Sequence, residues 1–93
     1  MSKKRFESVW DAIEDTPQQA ASMRARAHLI IELAELIQQQ GWTQKMAAEK
    51  FGVTQPRISD LMRGKVDLFS LDTLIDMATV AGLAPKITIR RAA

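Results

Sequence analysis

Gln55, Pro56, Arg57, Ser59 and Asp60 fall within the stretch FGVTQPRISDLMRGK, residues 51–65, which reads as a glycine turn followed by a short helix. Their outward set is not the Lys/Glu mixture of an ordinary solvent face, and side chains of this kind suit hydrogen-bonded recognition, so another molecule is expected to meet them. Bond-making chemistry has no comparable foothold. There is no glycine-rich phosphate loop, no HExxH pair and no serine with a base and an acid nearby, and the chain has too few residues for a separate enzyme domain. The reading is of a non-enzyme without a cofactor. With no cysteine, disulfides, thiolate metal sites and a thiol nucleophile are excluded, and the cytoplasm is the default compartment. His28 is the single histidine and lacks a neighbouring ligand pattern, so it reads as a surface or core residue rather than a metal ligand.

Charge is distributed more tellingly than its total of +2 suggests. Lys3, Lys4 and Arg5 make a basic N-terminal arm, residues 6–40 carry −4, residues 41–65 carry +3, and residues 66–93 balance. Basic charge therefore gathers on the stretch quoted above and at the N-terminus, the arrangement expected of a phosphate-facing surface. The arm either tracks phosphates or enters a minor groove, or it is a solvated tail. Charged residues interrupt the opening MSKKRFESVWDAIED before it can offer the run of about seven to fifteen apolar residues of a signal peptide. No stretch approaches the roughly 18 apolar residues of a membrane span.

The elements that must position the recognition residues follow from caps and periodicity. Phe6, Val9, Trp10 and Ile13 form one apolar stripe, predicting a first short helix. Thr16 as cap and Pro17 in the first helical position start a second, which runs to about Gln40 with Leu29, Leu33, Leu36 and Ile37 inward and Ile30 and Ile31 widening that face, and stops at Gly41. Thr43 caps a third, QKMAAEKF, with Ala47, Ala48 and Phe51 inward and Gly52 at its end. Thr54 caps a fourth, Gln55 to Arg63, burying Ile58, Leu61 and Met62 before Gly64. Ser70 caps a fifth, with Leu71, Leu74, Ile75 and Ala78 repeating until Gly82. Trp10 and Trp42 sit near apolar stripes, so packing is favoured over a base-stacking role, and the five methionines read as core filler.

In PKITIRR the period changes to two, with Ile87 and Ile89 alternating with Lys86, Thr88 and Arg90, the pattern of a half-buried β-strand. No second strand is readable in the chain. Unpaired backbone groups need a ladder, so Ile87, Thr88 and Ile89 are assigned to dimerisation, the strand pairing with its own copy across a two-fold axis. The bland alternative is a frayed tail.

Counted from Gln44, Ala48 is fifth, Gly52 ninth, Val53 tenth, Ile58 fifteenth and Leu61 eighteenth. A small residue allows close crossing, a glycine turns the chain and three apolar residues lock two helices together. This spacing resembles a DNA-binding helix-turn-helix. TQKMAAEKFGVTQPRISDLMRGK followed by FSLDTLIDMATVAGL is similar to the Cro/phage-repressor or XRE-type family, including antitoxins of higBA-like toxin-antitoxin pairs, over roughly residues 29–83. The resemblance implies that the helix from Gln55 lies in the major groove. Gln55 would then pair with adenine, Arg57 or Arg63 would reach guanine or phosphate, and Thr54, Ser59 and Asp60 would complete the arc. Pro56 stands where many members of that family carry a side chain able to bond a base, so direct readout is expected either to be thinner or to rely on apolar contact with a thymine methyl. Asp60 would repel phosphate if it faced a backbone, so it is expected either to accept from cytosine N4 or, the favoured reading, to pair with Arg57 or Arg63 within its helix. Thr43, Gln44 and Lys45 would approach phosphate, with Lys65 adding positive charge beyond the helix.

The whole reads as an all-α, five-helix domain with a C-terminal strand: residues 1–28 an arm and helical extension, 29–83 the DNA-binding domain, 84–93 the dimerisation segment. The function implied is a homodimeric transcriptional repressor on a palindromic double-stranded DNA operator. It would act as the antitoxin of a pair, its acidic residues 6–40 holding a basic ribonuclease toxin, or as a stand-alone phage-type regulator. A protein-interaction adaptor that does not read DNA is the reading from a different class, and a plain helical bundle whose polar helix faces water is the blandest.

Overall fold

Thr16 and Pro17 start the longest element. In a computed structural model, which describes residues 16–91, α1 spans Pro17–Gln40, and the Thr16 hydroxyl accepts the Gln19 N–H at 3.2 Å. Gly41 ends it at φ 68°, its N–H donating to the Gln38 carbonyl and the Trp42 N–H to the Ile37 carbonyl, both at 3.1 Å. Only its second half is anchored in the core. Ile30, Leu33 and Ile37, spaced by three and four, are buried, and no residue before Ile30 is. The expected widening at Ile31 is not seen. One residue past Ile30 is about 100° round the helix, which carries Ile31 out of the stripe to 55% exposure.

α2 (Gln44–Phe51) and α3 (Gln55–Met62) begin as the caps predict, with Thr43 accepting from the Met46 N–H and Thr54 from the Arg57 N–H. Between them Gly52 has φ 70°, and a Cβ there would lie 3.2 Å from Cγ1 of Val80, so both backbone and space call for glycine. Ala47, Ala48 and Phe51 face Ile58 and Leu61 in one core, with Met62 and Val53 packed at its edge. α3 ends at Met62, with Arg63 as its C-cap.

After α3 the chain makes a 3₁₀ turn, Val66–Leu68, that no sequence signal announced. It delivers Phe69 into the core at 1% exposure. Ser70 then caps α4 (Leu71–Val80), accepting from the Thr73 N–H at 3.0 Å. Leu74, Met77 and Ala78 are its buried residues, whereas Leu71 and Ile75, expected inward, are only half-buried. α4 packs on α1 and α2, while α2 packs on α3.

Two expectations need correction or restriction. The five-helix count is not reproduced: four α-helices occur among the described residues, and the stripe of Phe6, Val9, Trp10 and Ile13 lies outside them. No strand forms among the described residues. Residues 83–91, including Ile87, Thr88 and Ile89, have no ladder, because no second extended segment occurs among the described residues to pair with their N–H and C=O groups. No helix among the described residues is long and apolar enough to cross a membrane.

Candidate nucleic-acid interface

Ile58 and Leu61, both at 0% exposure, fix the rotation of α3 about its own axis. With those positions held inward, Gln55, Pro56 and Arg63 are exposed, and Arg57, Ser59 and Asp60 stand half-buried at the flank. Thr54 is exposed at the helix start, and a shallow depression of about 420 Å³ is lined by Val53, Thr54, Pro56, Arg57 and Asp60. At the start of α2, Thr43, Gln44 and Lys45 are also exposed. Thr43 and Thr54 spend their oxygens as acceptors for their own helices, which leaves each hydroxyl hydrogen to donate outward.

The polar side chains of this surface divide by whether they are already engaged. Among the described residues, Gln44, Lys45, Gln55 and Arg63 make no side-chain hydrogen bond or ion pair and are available to a ligand. Arg57 is committed. Its Nη1 donates to the Leu68 carbonyl at 3.0 Å, and its guanidinium lies 5.1 Å from the centre of the Phe69 ring. Asp60 does not pair with Arg57 or Arg63 as expected. Lys65 takes it instead, at 4.0 Å across the end of the helix, while Arg57 is drawn to the turn. That pair is solvent-accessible and contributes little to stability.

Other sequence candidates find ordinary structural places. Trp42 is half-buried, edge-on to Phe51 at 6.1 Å with Lys50 5.5 Å from its ring centre, so it packs rather than offering a face for stacking. His28 bonds Glu32 at 2.7 Å on the open face of α1. Lys3, Lys4, Arg5 and Trp10 lie outside the described residues. One relevant residue escaped sequence reasoning. Arg26 donates from Nη1 to the carbonyls of Phe69, at 3.2 Å, and Val66, at 3.4 Å. An arginine on the polar side of a long helix gives no hint that it reaches a turn 40 residues later.

Two short capped helices, one glycine turn and an outward arc of uncommitted polar groups are the geometry of a module that places one helix in a DNA groove. No curated protein matches the chain. The family model described as a helix-turn-helix domain matches residues 12–90, which takes in all four helices. The chain belongs to the helix-turn-helix domain family, a family of DNA-binding regulators.

Proposed function

We propose that the protein is a sequence-specific transcriptional repressor that binds a palindromic operator as a homodimer. The observation that carries this reading is the outward arc of α3, where Gln55 and Arg63 are exposed and uncommitted on a helix whose rotation the core fixes. In this reading α3 is the recognition helix. Gln55 pairs with adenine N6 and N7, Arg63 takes guanine or a phosphate, Pro56 touches a thymine methyl, and Ser59 completes the contact. Thr43, Gln44 and Lys45 hold phosphate at the N-terminus of α2, where unpaired N–H groups and the helix dipole favour an anion. Such contacts set register rather than sequence.

Dimerisation is assigned to residues 84–93. Ile87 and Ile89 are 62% and 91% exposed, and an antiparallel pairing of Ile87, Thr88 and Ile89 with a second copy would give both segments a ladder and cover both side chains. Two recognition helices would then enter successive major grooves about 34 Å apart and block polymerase at a promoter. The sharper form of the proposal makes the protein a cytoplasmic antitoxin of the XRE-type, higBA-like kind, not an enzyme. Its support is the acidic balance of residues 6–40, a charge suited to a basic ribonuclease toxin.

The test is a gel shift on the promoter upstream of the protein's own gene at two salt concentrations, with a Gln55→Ala, Arg63→Ala double variant alongside. Selective binding that weakens steeply with salt and is lost in the variant is the expected result. If wild type and variant both ignore duplex DNA, the helix pair is an interaction scaffold and the adaptor reading replaces this one.

A further inference from the structure

Arg26 comes from α1 and Arg57 from α3, yet both guanidinium groups end on the same short turn. Between them they donate to the carbonyls of Val66, Leu68 and Phe69 at 3.4, 3.0 and 3.2 Å, and Arg57 also lies against the ring of Phe69, which is buried at 1% exposure. The turn carries no side-chain cap of its own. The Val66 carbonyl already accepts the Phe69 N–H at 3.2 Å, and arginine's planar, multiply donating head can meet it and the Phe69 carbonyl at once, or bond the Leu68 carbonyl while stacking on a ring.

We infer that Arg57, although it sits on the arc of the recognition helix, serves DNA binding as a positioning residue and not by touching DNA. With Arg26 it ties the first turn of α3, through the 3₁₀ turn, to the long helix α1. The inference rests on the reading of α3 as the recognition helix and deepens it by dividing two arginines on one arc into a reader, Arg63, and a clamp, Arg57. The grounds are geometric. Arg57 is half-buried and engaged by two partners, whereas Arg63 is exposed with none among the described residues. To reach a base or phosphate, Arg57 would give up a 3.0 Å hydrogen bond and its ring contact, leaving the Leu68 carbonyl without its donor.

The experiment compares full-length wild type with Arg57→Ala, Arg57→Lys, Arg26→Ala and Arg63→Ala. Affinity for operator duplex is measured across a salt series well below each melting temperature and corrected for active fraction, with amide exchange at Val66–Phe69 in the free protein. Arg57→Ala and Arg26→Ala should each weaken binding by roughly tenfold with an unchanged salt slope and unchanged base preference. Arg57→Lys should not restore affinity, since an ammonium keeps the charge but cannot bond and stack together. Arg63→Ala should instead lower the salt slope by about one or relax preference at one base pair. Exchange in the turn should rise in both clamp variants and stay at the wild-type level in Arg63→Ala.

Three results overturn the inference. One is a salt slope lowered by about one in Arg57→Ala and restored by lysine, which would mean a phosphate contact. Another is unchanged affinity per folded molecule, which would leave Arg57 a stability residue only. The third is turn exchange indifferent to both clamp variants. That last readout needs no DNA, so a wild type that does not bind duplex would defeat the proposed function while the exchange data still decide on the clamp.

Discussion

Ile58 and Ile89 are the same side chain in opposite circumstances. Ile58 is at 0% exposure on an eight-residue helix, and Ile89 is at 91% exposure in a segment without secondary structure. Each lies in an apolar pattern that its sequence repeats faithfully, one at helical spacing and one at alternate positions. The difference lies in where the backbone groups find partners. A helix satisfies its own N–H and C=O groups within the segment, so caps and a stripe are enough to fix it. A strand takes its partners from elsewhere, and among the described residues the chain offers 84–91 none.

The largest expected effect tests that contrast directly. Ile58→Ala should destabilise the protein by about 2–5 kcal/mol in urea denaturation, because the site is enclosed by α2 and cannot collapse freely. Ile89→Ala, measured at protein concentrations low enough to hold a monomer, should change stability by less than about 0.5 kcal/mol. Equal losses would mean that the C-terminal segment is packed in solution, and the comparison would fail. Raising the concentration sharpens it: if Ile87 and Ile89 are covered in a dimer, Ile87→Asp with Ile89→Asp should shift the mass seen in sedimentation from dimer to monomer without unfolding the core.

The same contrast explains how much of the molecule was legible in its sequence. The caps Thr16, Thr43, Thr54 and Ser70 and the stops Gly41 and Gly52 are local signals, and the helices they bound were read nearly to the residue. The outward placement of Gln55 and Arg63 followed from the burial of Ile58 and Leu61. What was not legible is contact at long range. The 3₁₀ turn, the reach of Arg26 across about forty residues and the capture of Arg57 by Leu68 and Phe69 depend on the packed arrangement of three elements. Arg57 and Arg63 look alike in sequence. Only the neighbour at Phe69 tells them apart.

A second pair of positions gives an intermediate effect. Gly52 and Gly41 have nearly equal φ, 70° and 68°, so Ala at either should cost about 1–2 kcal/mol from backbone strain alone. They differ in surroundings. A Cβ at Gly41 meets nothing within 4 Å, whereas one at Gly52 meets Val80 3.2 Å away. Gly52→Ala should therefore lose more stability than Gly41→Ala, and Gly52→Ala combined with Val80→Ala should recover the excess. Equal costs would show that α4 yields to the new methyl and does not brace the turn between α2 and α3.

The smallest effect separates two helix starts that look equivalent. Ser70 accepts the Thr73 N–H at 3.0 Å and shares a 2.8 Å hydrogen bond with the Thr73 hydroxyl, whereas Thr54 accepts the Arg57 N–H at 3.4 Å, near the limit of a useful bond. Substituting alanine at Ser70 should cost about 1 kcal/mol, and at Thr54 about 0.5 kcal/mol, in thermal or urea denaturation. A loose cap on the recognition helix is compatible with its other anchors, since Ile58, Leu61 and the Arg57 clamp hold it independently of Thr54. If Thr54→Ala proves the costlier, the first turn of α3 depends on its cap after all, and the clamp through Arg57 carries less of the helix's position than its geometry implies.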